Sequence, residues 1–211
     1  MEVRGRKNAA AYEELKDLFL HEEFEKGEII PISGIAAKIN MGRSPVTEAL
    51  KRLESEKYVR IIPQKGVIVR EMTVQEMLDL NDVRIALEVF GIKKVVERIT
   101  LDDTDFLRDL MKKHREALEQ NDPYRFRDLD ESFHIFLSKT CGNSYLYDQV
   151  LFIREKVFNT ALKLLKIPGR MESTMKEHQR IVDAIIANDA EKASACMLEH
   201  LEHGKQHIGL L

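Results

Sequence analysis

One carboxylate and three imidazoles fall on the apolar faces of predicted helices, where such polar groups are uncommon. The carboxylate lies about 40° around its helix from Phe126, a position of the core stripe, and the first imidazole follows one turn later. The other two imidazoles lie among apolar residues of two later helices. An unpaired buried carboxylate is costly, and a divalent metal would satisfy all four groups together. These candidate metal ligands are Asp130, His134, His178 and His200.

The same residues have a simpler explanation, in which each histidine is an ordinary core residue and Asp130 pairs with an arginine. For any one residue that is the more common case. For the set, a carboxylate and an imidazole one helical turn apart, together with two further inward-facing imidazoles, favour a shared ion. The remaining histidines, His21, His114, His203 and His207, are predicted to lie on the surface.

Six predicted helices hold these groups, in a domain assigned to residues 73–211. Thr73 as the N-cap and Glu76 three residues later form a predicted capping box at its start. Asp122 followed by Pro123 is a similar start signal for a later helix. Short turns between the helices predict an antiparallel all-α bundle. The predicted helices cover 74–98, 102–120, 123–139, 143–166, 171–187 and 190–207.

Residues 1–72 show a different pattern, which predicts a separate domain. A helix is predicted over 8–23, with Gly27 and Pro31 marking a turn after it. The segment Ile32–Leu53 predicts two short helices around a turn at residues 40–42, and two β-rich runs separated by Pro63–Gly66 then predict a hairpin. Three helices followed by a hairpin make a winged helix-turn-helix, which places a helix N-terminus in the major groove of DNA. The predicted fold is therefore mostly α.

Composition limits the classes of protein that this chain can belong to. The chain is 44% hydrophobic and 33% charged, with a net charge of −3, but residues 38–70 hold eight basic and three acidic residues. That local excess is a candidate phosphate-facing patch. No signal peptide and no run of 18 apolar residues is present, and Cys141 and Cys196 are too few for a disulfide framework. We expect a cytoplasmic protein that does not enter a membrane.

The span from about residue 10 to residue 70 resembles the N-terminal domain of the GntR superfamily of bacterial transcription regulators. The resemblance is carried by Asn40–Leu50, which includes Arg43 and Pro45-Val46, and by the wing with its glycine. It implies that Arg43 reads a base, although Thr47 stands where the family usually has a second DNA-contacting arginine. The DNA-binding residues that we expect are Arg43, Ser44, Thr47, Lys51, Arg52, Lys65 and Gly66.

Residues 74–207 are similar to the effector-binding domain of the FadR subfamily, called the FCD domain. The similarity is carried by Asp130-Glu131-Ser132-Phe133-His134, by Glu177-His178 and by His200. It implies that the four candidate ligands hold Zn²⁺ or a similar ion, and that a small carboxylate or water completes the coordination. Ni²⁺ and Mn²⁺ are the alternative metals. The segment Val83–Glu88 matches a further family pattern, from which Arg84 is taken as a partner of the effector carboxylate; Arg154 is added as a second partner. Either arginine could instead pair with a neighbouring acid such as Glu88.

These patterns together predict a ligand-responsive transcription repressor rather than an enzyme. We expect a homodimer that binds a palindromic double-stranded operator and is released by a small organic acid bound at the metal. The alternative is a metal-dependent enzyme that acts on a small carboxylate in the same bundle. A catalytic metal site needs a nearby general base, and the sequence shows no obvious one on the same face.

Overall fold

The computed structural model describes residues 2–20 and 28–209, with side chains from residue 7 onward except that of residue 20. Contacts within the chain divide it into two units, Met1–Met72 and Thr73–Leu211. The predicted mostly α architecture, with a winged helix-turn-helix followed by a helical domain, is confirmed. Among the described residues, no helix combines the length and the apolar character that a membrane span requires.

The first unit contains three helices and a small antiparallel sheet. Its helices are α1 (Glu2–Leu20), α2 (Ile32–Lys38) and α3 (Arg43–Ser55), and its strands are β1 (Ile29–Ile30), β2 (Val59–Ile62) and β3 (Gly66–Val69). Helix α1 begins six residues earlier than predicted, and its predicted end at 23 and the predicted turn at Gly27 lie outside the described residues.

Strand β1 was absent from the sequence prediction. It pairs with β3, on the side opposite to β2, so the sheet order is β1-β3-β2. A two-residue strand is too short to show an alternating pattern, and its pairing is fixed by the wing that follows it much later in the chain.

The core of the first unit is built by the apolar faces of the three helices. Leu15 of α1, Ile35 of α2 and Leu50 and Leu53 of α3 are fully buried. Because Leu50 and Leu53 sit three residues apart on one side of α3, the opposite side of that helix remains in solvent.

The second unit consists of six helices in its described part, which contains no strand. Their bounds lie within one residue of those predicted, because N-caps mark most of the starts. Thr73 forms a capping box with Glu76, and Asp122 accepts hydrogen bonds from the backbone N–H groups of Tyr124 and Arg125. The helices are α4 (Val74–Arg98), α5 (Leu101–Glu119), α6 (Pro123–Thr140), α7 (Ser144–Leu165), α8 (Arg170–Ile186) and α9 (Ala190–Ile208).

The helices of the second unit bury one continuous apolar core. Phe126 and Phe133 of α6, Ile181 and Ile185 of α8 and Met197 of α9 are among its fully buried side chains. Helix α4 packs against α9 and α6, and α8 packs against α9 and α5. The inward faces of α6, α8 and α9 therefore meet in the bundle interior, where their few polar residues must find partners in one another.

Candidate metal centre and nucleic-acid interface

The structure brings the four candidate metal ligands together. Asp130 and His134 lie one turn apart on α6, His178 lies on α8 and His200 lies on α9. All four residues are buried, and one ligand atom from each lies within 4.8 Å of the others. Three helices that are distant in sequence thus contribute one compact set of three nitrogens and one oxygen.

The distances between these atoms fit a single ion. The Nε2 atom of His200 lies 3.2 Å from Nε2 of His134 and 3.3 Å from Nε2 of His178. The Oδ1 atom of Asp130 lies 3.5 Å from Nε2 of His178 and 3.9 Å from Nε2 of His134. Tetrahedral zinc with bonds of about 2.0–2.1 Å separates its ligands by roughly 3.3 Å. The donor set and its spacing therefore suit a divalent metal.

Two glutamates orient the imidazoles. Nδ1 of His134 lies 2.5 Å from Oε2 of Glu88, and Nδ1 of His200 lies 2.7 Å from Oε2 of Glu177. If each Nδ1–H donates to its carboxylate, both Nε2 atoms carry only a lone pair. Two lone pairs that face each other at 3.2 Å repel unless a cation lies between them. This close approach of the two Nε2 atoms is a second observation in favour of a metal.

Burial keeps the cluster in the protonation state that a metal needs. Burial lowers the pKa of His134 to about 3, against the opposing effect of Glu88, and lowers the pKa of His178 well below its usual range. Burial alone would raise the pKa of Asp130, but the Arg154 guanidinium beside it brings that pKa well below its usual range. At neutral pH the two imidazoles are therefore neutral and the carboxylate is charged.

A small cavity of about 60 Å³ opens beside the cluster. Asp130 and Thr174 line it, together with Glu131, Arg84 and Arg154. Nη2 of Arg84 and Oγ1 of Thr174 are buried and have no hydrogen-bond partner within the described part of the chain. These two unpaired polar atoms mark a place where a polar ligand would gain hydrogen bonds.

The two predicted effector arginines both line this cavity, but they differ in what they already bind. Arg84 donates from Nε to Oε1 of Glu88 at 2.6 Å and keeps Nη2 unpaired. Arg154 binds two carboxylates, with Nη2 2.6 Å from Oδ2 of Asp130 and Nε 2.7 Å from Oε2 of Glu131. Asp130 thus pairs with an arginine and also faces the cluster, so the two explanations of this residue hold together.

The catalytic alternative finds little support in these contacts. Asp130 and Glu131 are the carboxylates that line the cavity in the described structure, and both are bound to Arg154. A general base must be able to take a proton, and a carboxylate held against a guanidinium is a poor one.

One histidine was misplaced by the sequence prediction. His114 of α5 is fully buried rather than on the surface. Its spacing from Leu107 and Ala117, seven residues before and three after, is that of the buried helical face, so periodicity could have found it. His203 and His207 are both partly exposed, and Nδ1 of His203 lies 3.1 Å from Oε1 of Glu177. His21 lies outside the described residues.

Sequence reasoning also missed the roles of Glu88 and Glu177 in holding imidazoles. Both glutamates lie on helix faces that are mostly buried. A glutamate in such a sequence is nevertheless ordinary for an exposed helix surface. The signal that was available is the adjacency of Glu177 to His178, but it points to the wrong histidine, since Glu177 binds His200.

In the first unit, helix α3 presents its first turn to solvent. Arg43 and Ser44 are the first two residues of the helix and are exposed. Thr47 follows one turn later, but its Oγ1 donates to the carbonyl of Arg43 at 2.8 Å. Arg43 and Ser44 are thus exposed at the head of α3, in the position that the predicted docking requires.

Two of the predicted DNA-contacting residues, Arg52 and Lys51, also make contacts within the protein. The guanidinium of Arg52 stacks on the Tyr12 ring, with its carbon 3.6 Å from the ring centre, and Nε donates to Glu56 at 3.0 Å. Arg52 lies about 180° around the helix from Arg43, at 100° per residue, so the two side chains point away from each other. Lys51 pairs with Glu48 at 2.9 Å in full solvent, where such a pair is weak and leaves the lysine able to contact phosphate.

The predicted wing tip needs one correction. Lys65 is exposed in the turn between β2 and β3, whereas Gly66 is buried at the first position of β3. A Cβ atom at Gly66, whose φ is +146°, would lie 2.2 Å from the carbonyl oxygen of Ile30. Gly66 is therefore explained by the close approach of β1, and the exposed wing tip is Pro63–Lys65.

A winged helix-turn-helix joined to a helical domain with a buried imidazole–carboxylate cluster defines a DNA-binding transcription regulator. The chain belongs to the GntR family of bacterial regulatory proteins and carries an FCD domain. Residues 7–69 match the model of bacterial regulatory proteins of the gntR family, and residues 79–203 match the model of the FCD domain. The predicted resemblance to GntR regulators is confirmed.

Several relatives are named as repressors. The HTH-type transcriptional repressor GlaR of Escherichia coli is 29% identical over 206 residues, which cover 90% of each protein. The gluconate operon transcriptional repressor of Bacillus subtilis is 30% identical over 162 residues, which cover 75% of this chain and 64% of the relative. Among solved structures, E. coli McbR/YncC has the same fold, with a TM-score of 0.79 at 19% identity over 97% of both chains.

Proposed function

We propose that this protein is a transcription repressor that releases its operator when a small organic acid binds beside a metal ion in the helical domain. The observation that carries the proposal is the cluster of Asp130, His134, His178 and His200 next to a cavity with two unpaired polar atoms. A divalent metal held there would supply a Lewis-acidic centre for a carboxylate oxygen.

The metal assigned first is Zn²⁺. Three imidazoles and one carboxylate suit Zn²⁺ or Ni²⁺ better than the oxygen-preferring ions, while Mn²⁺ is the third candidate. The separations of 3.2 and 3.3 Å between imidazole nitrogens favour the tetrahedral ligand spacing of zinc.

The cavity favours a short acid. A site for one water needs about 10–15 Å³ of probe-occupied volume, so a cavity of about 60 Å³ holds roughly four to six non-hydrogen atoms. Acids of two to four carbons match that size, whereas gluconate, which the name of the Bacillus subtilis relative mentions, is larger. We assign Nη2 of Arg84 as a donor to the carboxylate and Oγ1 of Thr174 as a partner for a further polar group.

On DNA, we assign base reading to Arg43 and backbone contacts to Ser44, Lys51 and Lys65. A homodimer would place two copies of α3 in successive major grooves of a palindromic operator. Acid binding would shift α4, which begins directly after the boundary between the two units. A coupling of about 1–3 kcal/mol would change operator affinity by about 5- to 150-fold.

The experiment starts with protein purified without added metal or chelator. Elemental mass spectrometry should find about one zinc per chain, and native mass spectrometry should detect a co-purified small acid. An operator selected from a random duplex library is then titrated with protein in the presence of acetate, lactate, malonate or gluconate. His178→Ala protein is the matched control and should bind the operator without responding to any acid.

Two results would overturn the proposal. One is a folded wild-type protein that binds no Zn²⁺, Ni²⁺ or Mn²⁺ at micromolar concentrations. The other is an acid response that survives in the His178→Ala protein after metal has been removed.

A further inference from the structure

The three imidazoles of the cluster are not equally supported. His134 and His200 each place Nδ1 against a glutamate, at 2.5 and 2.7 Å. Nδ1 of His178 is buried and has no hydrogen-bond partner within the described part of the chain. Metal-ligating histidines almost always give their second ring nitrogen a partner, because it fixes the tautomer and the ring orientation. The partner of His178 is therefore the missing part of this site.

His114 is a buried polar side chain whose ring lies against that of His178. It enters from α5, a helix that contributes none of the four ligands, and it is fully buried. Its ring lies edge-on to the ring of His178, with 5.4 Å between the centroids and 69° between the planes. One ring nitrogen of His114 interacts with the backbone carbonyl of Phe126, but neither nitrogen makes a hydrogen bond of full geometry to the described residues. On its other side the ring contacts Phe126, with 4.8 Å between the centroids.

Two neighbouring imidazoles with unsatisfied nitrogens are a costly arrangement. Each buried donor or acceptor left without a partner costs about 1–3 kcal/mol. A hydrogen bond between the rings, directly or through one water, would satisfy Nδ1 of His178 and one nitrogen of His114. A neutral imidazole has one acceptor nitrogen and can receive the N–H of its neighbour. Burial lowers the pKa of His114 to about 4, so it is neutral at the pH of the cell.

We propose that His114 is a positioning residue for the metal ligand His178, taking the role that Glu88 and Glu177 take for His134 and His200. The inference rests on the proposed metal site and adds a fifth residue to it. Since an imidazole acceptor is neutral, His178 gains orientation from this contact but less electron donation than its two neighbours gain from a carboxylate. His178 is then the most weakly donating of the three nitrogen ligands.

The test replaces His114 by phenylalanine, which fills the volume but cannot accept a hydrogen bond. The affinity for Zn²⁺, measured by competition with a chromophoric chelator, should fall about 10- to 100-fold. His114→Asn or His114→Gln, which restore an acceptor on one side or the other, should recover part of that loss. Met111→Leu, a volume-conserving change at a buried position one turn earlier on α5, should leave the affinity unchanged.

A second readout distinguishes positioning from packing. The visible absorption spectrum of the Co²⁺-loaded protein reports on the ligand field and should shift in His114→Phe but not in Met111→Leu. Proton and nitrogen NMR of the Zn²⁺-loaded wild-type protein should place the Nδ1–H of His178 downfield, where a hydrogen-bonded imidazole N–H resonates, rather than at the position of an N–H without an acceptor. This measurement needs no variant, so it decides the question even if His114→Phe fails to fold.

The outcomes separate this inference from the proposed function. Wild-type protein that binds no metal would overturn both the proposed function and the role of His114. Wild-type protein that binds Zn²⁺, beside a His114→Phe variant with the same affinity and the same Co²⁺ spectrum, overturns only the role of His114. An Nδ1 proton of His178 that resonates at the position of an imidazole N–H without a hydrogen bond overturns it as well.

Discussion

Glu88 is shared between a metal-site histidine and an arginine, and its contact with Arg84 spans one turn of α4. Nε of Arg84 donates to Oε1 at 2.6 Å, while Oε2 lies 2.5 Å from Nδ1 of His134. Helix α4 supplies none of the four ligands, yet its Glu88 contacts the cluster and its Arg84 lines the cavity. Under the proposed function, a ligand that draws Arg84 toward itself would change the contact between α4 and His134.

Glu88→Gln tests the support of His134. The amide can still accept the Nδ1–H hydrogen bond but loses the charge that makes the imidazole a stronger donor. We expect about a tenfold loss of Zn²⁺ affinity in chelator competition. Glu97→Gln, an exposed position on the same helix, should have no effect. Equal affinities of the two variants would remove Glu88 from the site.

Thr174→Val tests the unpaired hydroxyl of the cavity. Because Oγ1 of Thr174 has no partner in the described structure, replacing it with a methyl group should leave the free energy of unfolding unchanged or raise it slightly. The same change should weaken the acid response about tenfold if the hydroxyl binds the acid. Acid titrations of the operator complex and urea unfolding measure the two effects.

Thr104→Val is the matched control for that experiment. Oγ1 of Thr104 donates to the carbonyl of Leu101 at 2.7 Å, so its loss should cost about 1 kcal/mol of stability and leave the acid response intact. The assignment of Thr174 is refuted if both variants respond to acid like the wild type.

Arg43→Ala and Arg52→Ala should affect different properties, the first DNA discrimination and the second stability. Loss of Arg43 removes an exposed base reader, so discrimination between operator and random DNA should fall by about 1–3 kcal/mol without loss of stability. Loss of Arg52 removes a stacked ring contact and an ion pair, so stability should fall by about 0.5–1 kcal/mol with discrimination retained. Gel-shift competition and thermal unfolding measure the two quantities. Reversal of this pattern would place Arg52 on the DNA.

Acid should destabilise the metal-free protein well before its carboxylates titrate. In the folded state the pKa values of His134, His178 and His114 lie below the ordinary 6.5, so below pH 6.5 the unfolded chain binds more protons than the folded one. Stability is therefore full above pH 6.5 and falls with decreasing pH, by up to about 1.4 kcal/mol per pH unit for each histidine. Urea unfolding at pH 7, 6 and 5 measures the slope.

His114→Phe is the control for this pH dependence, because it removes one of the three histidines. Its stability should fall less steeply between pH 6.5 and pH 5 than that of the wild type. The difference in slope should correspond to about one proton fewer taken up on unfolding. A wild-type stability that is constant from pH 7 to pH 5 would contradict the buried neutral state of all three.

The sequence predicted the helices well because their signals are local. Thr73 with Glu76 and Asp122 with Pro123 mark helix starts through contacts within four residues, and apolar periodicity does the rest. Asp130 and His134 were recognisable as a pair for the same reason. That His178 and His200 meet them depends on the packing of α8 and α9. The pattern indicated only that both imidazoles face inward, and the family resemblance supported their meeting at one ion.

What was missed depends on contacts between distant segments. Glu88 contacts His134, 46 residues later. Strand β1 pairs with β3, 37 residues later at Ile30 and Val67 and 39 residues later at Ile29 and Ile68. No periodicity within one helix or strand contains such information. The stacking of Arg52 on the ring of Tyr12 was missed because a basic residue on an exposed helix face looks the same whether it faces phosphate or an aromatic ring.

The charges around the cavity suggest an order of events. Within the described structure, four carboxylates and three guanidinium groups surround the site, so the metal-free pocket carries one excess negative charge and repels an anion. A divalent cation reverses that sign to a single positive charge, and one monocarboxylate brings the total to zero. The protein would then respond to the acid only when the metal is already bound. The groups counted are Glu88, Asp130, Glu131 and Glu177, and Arg84, Arg154 and Arg170.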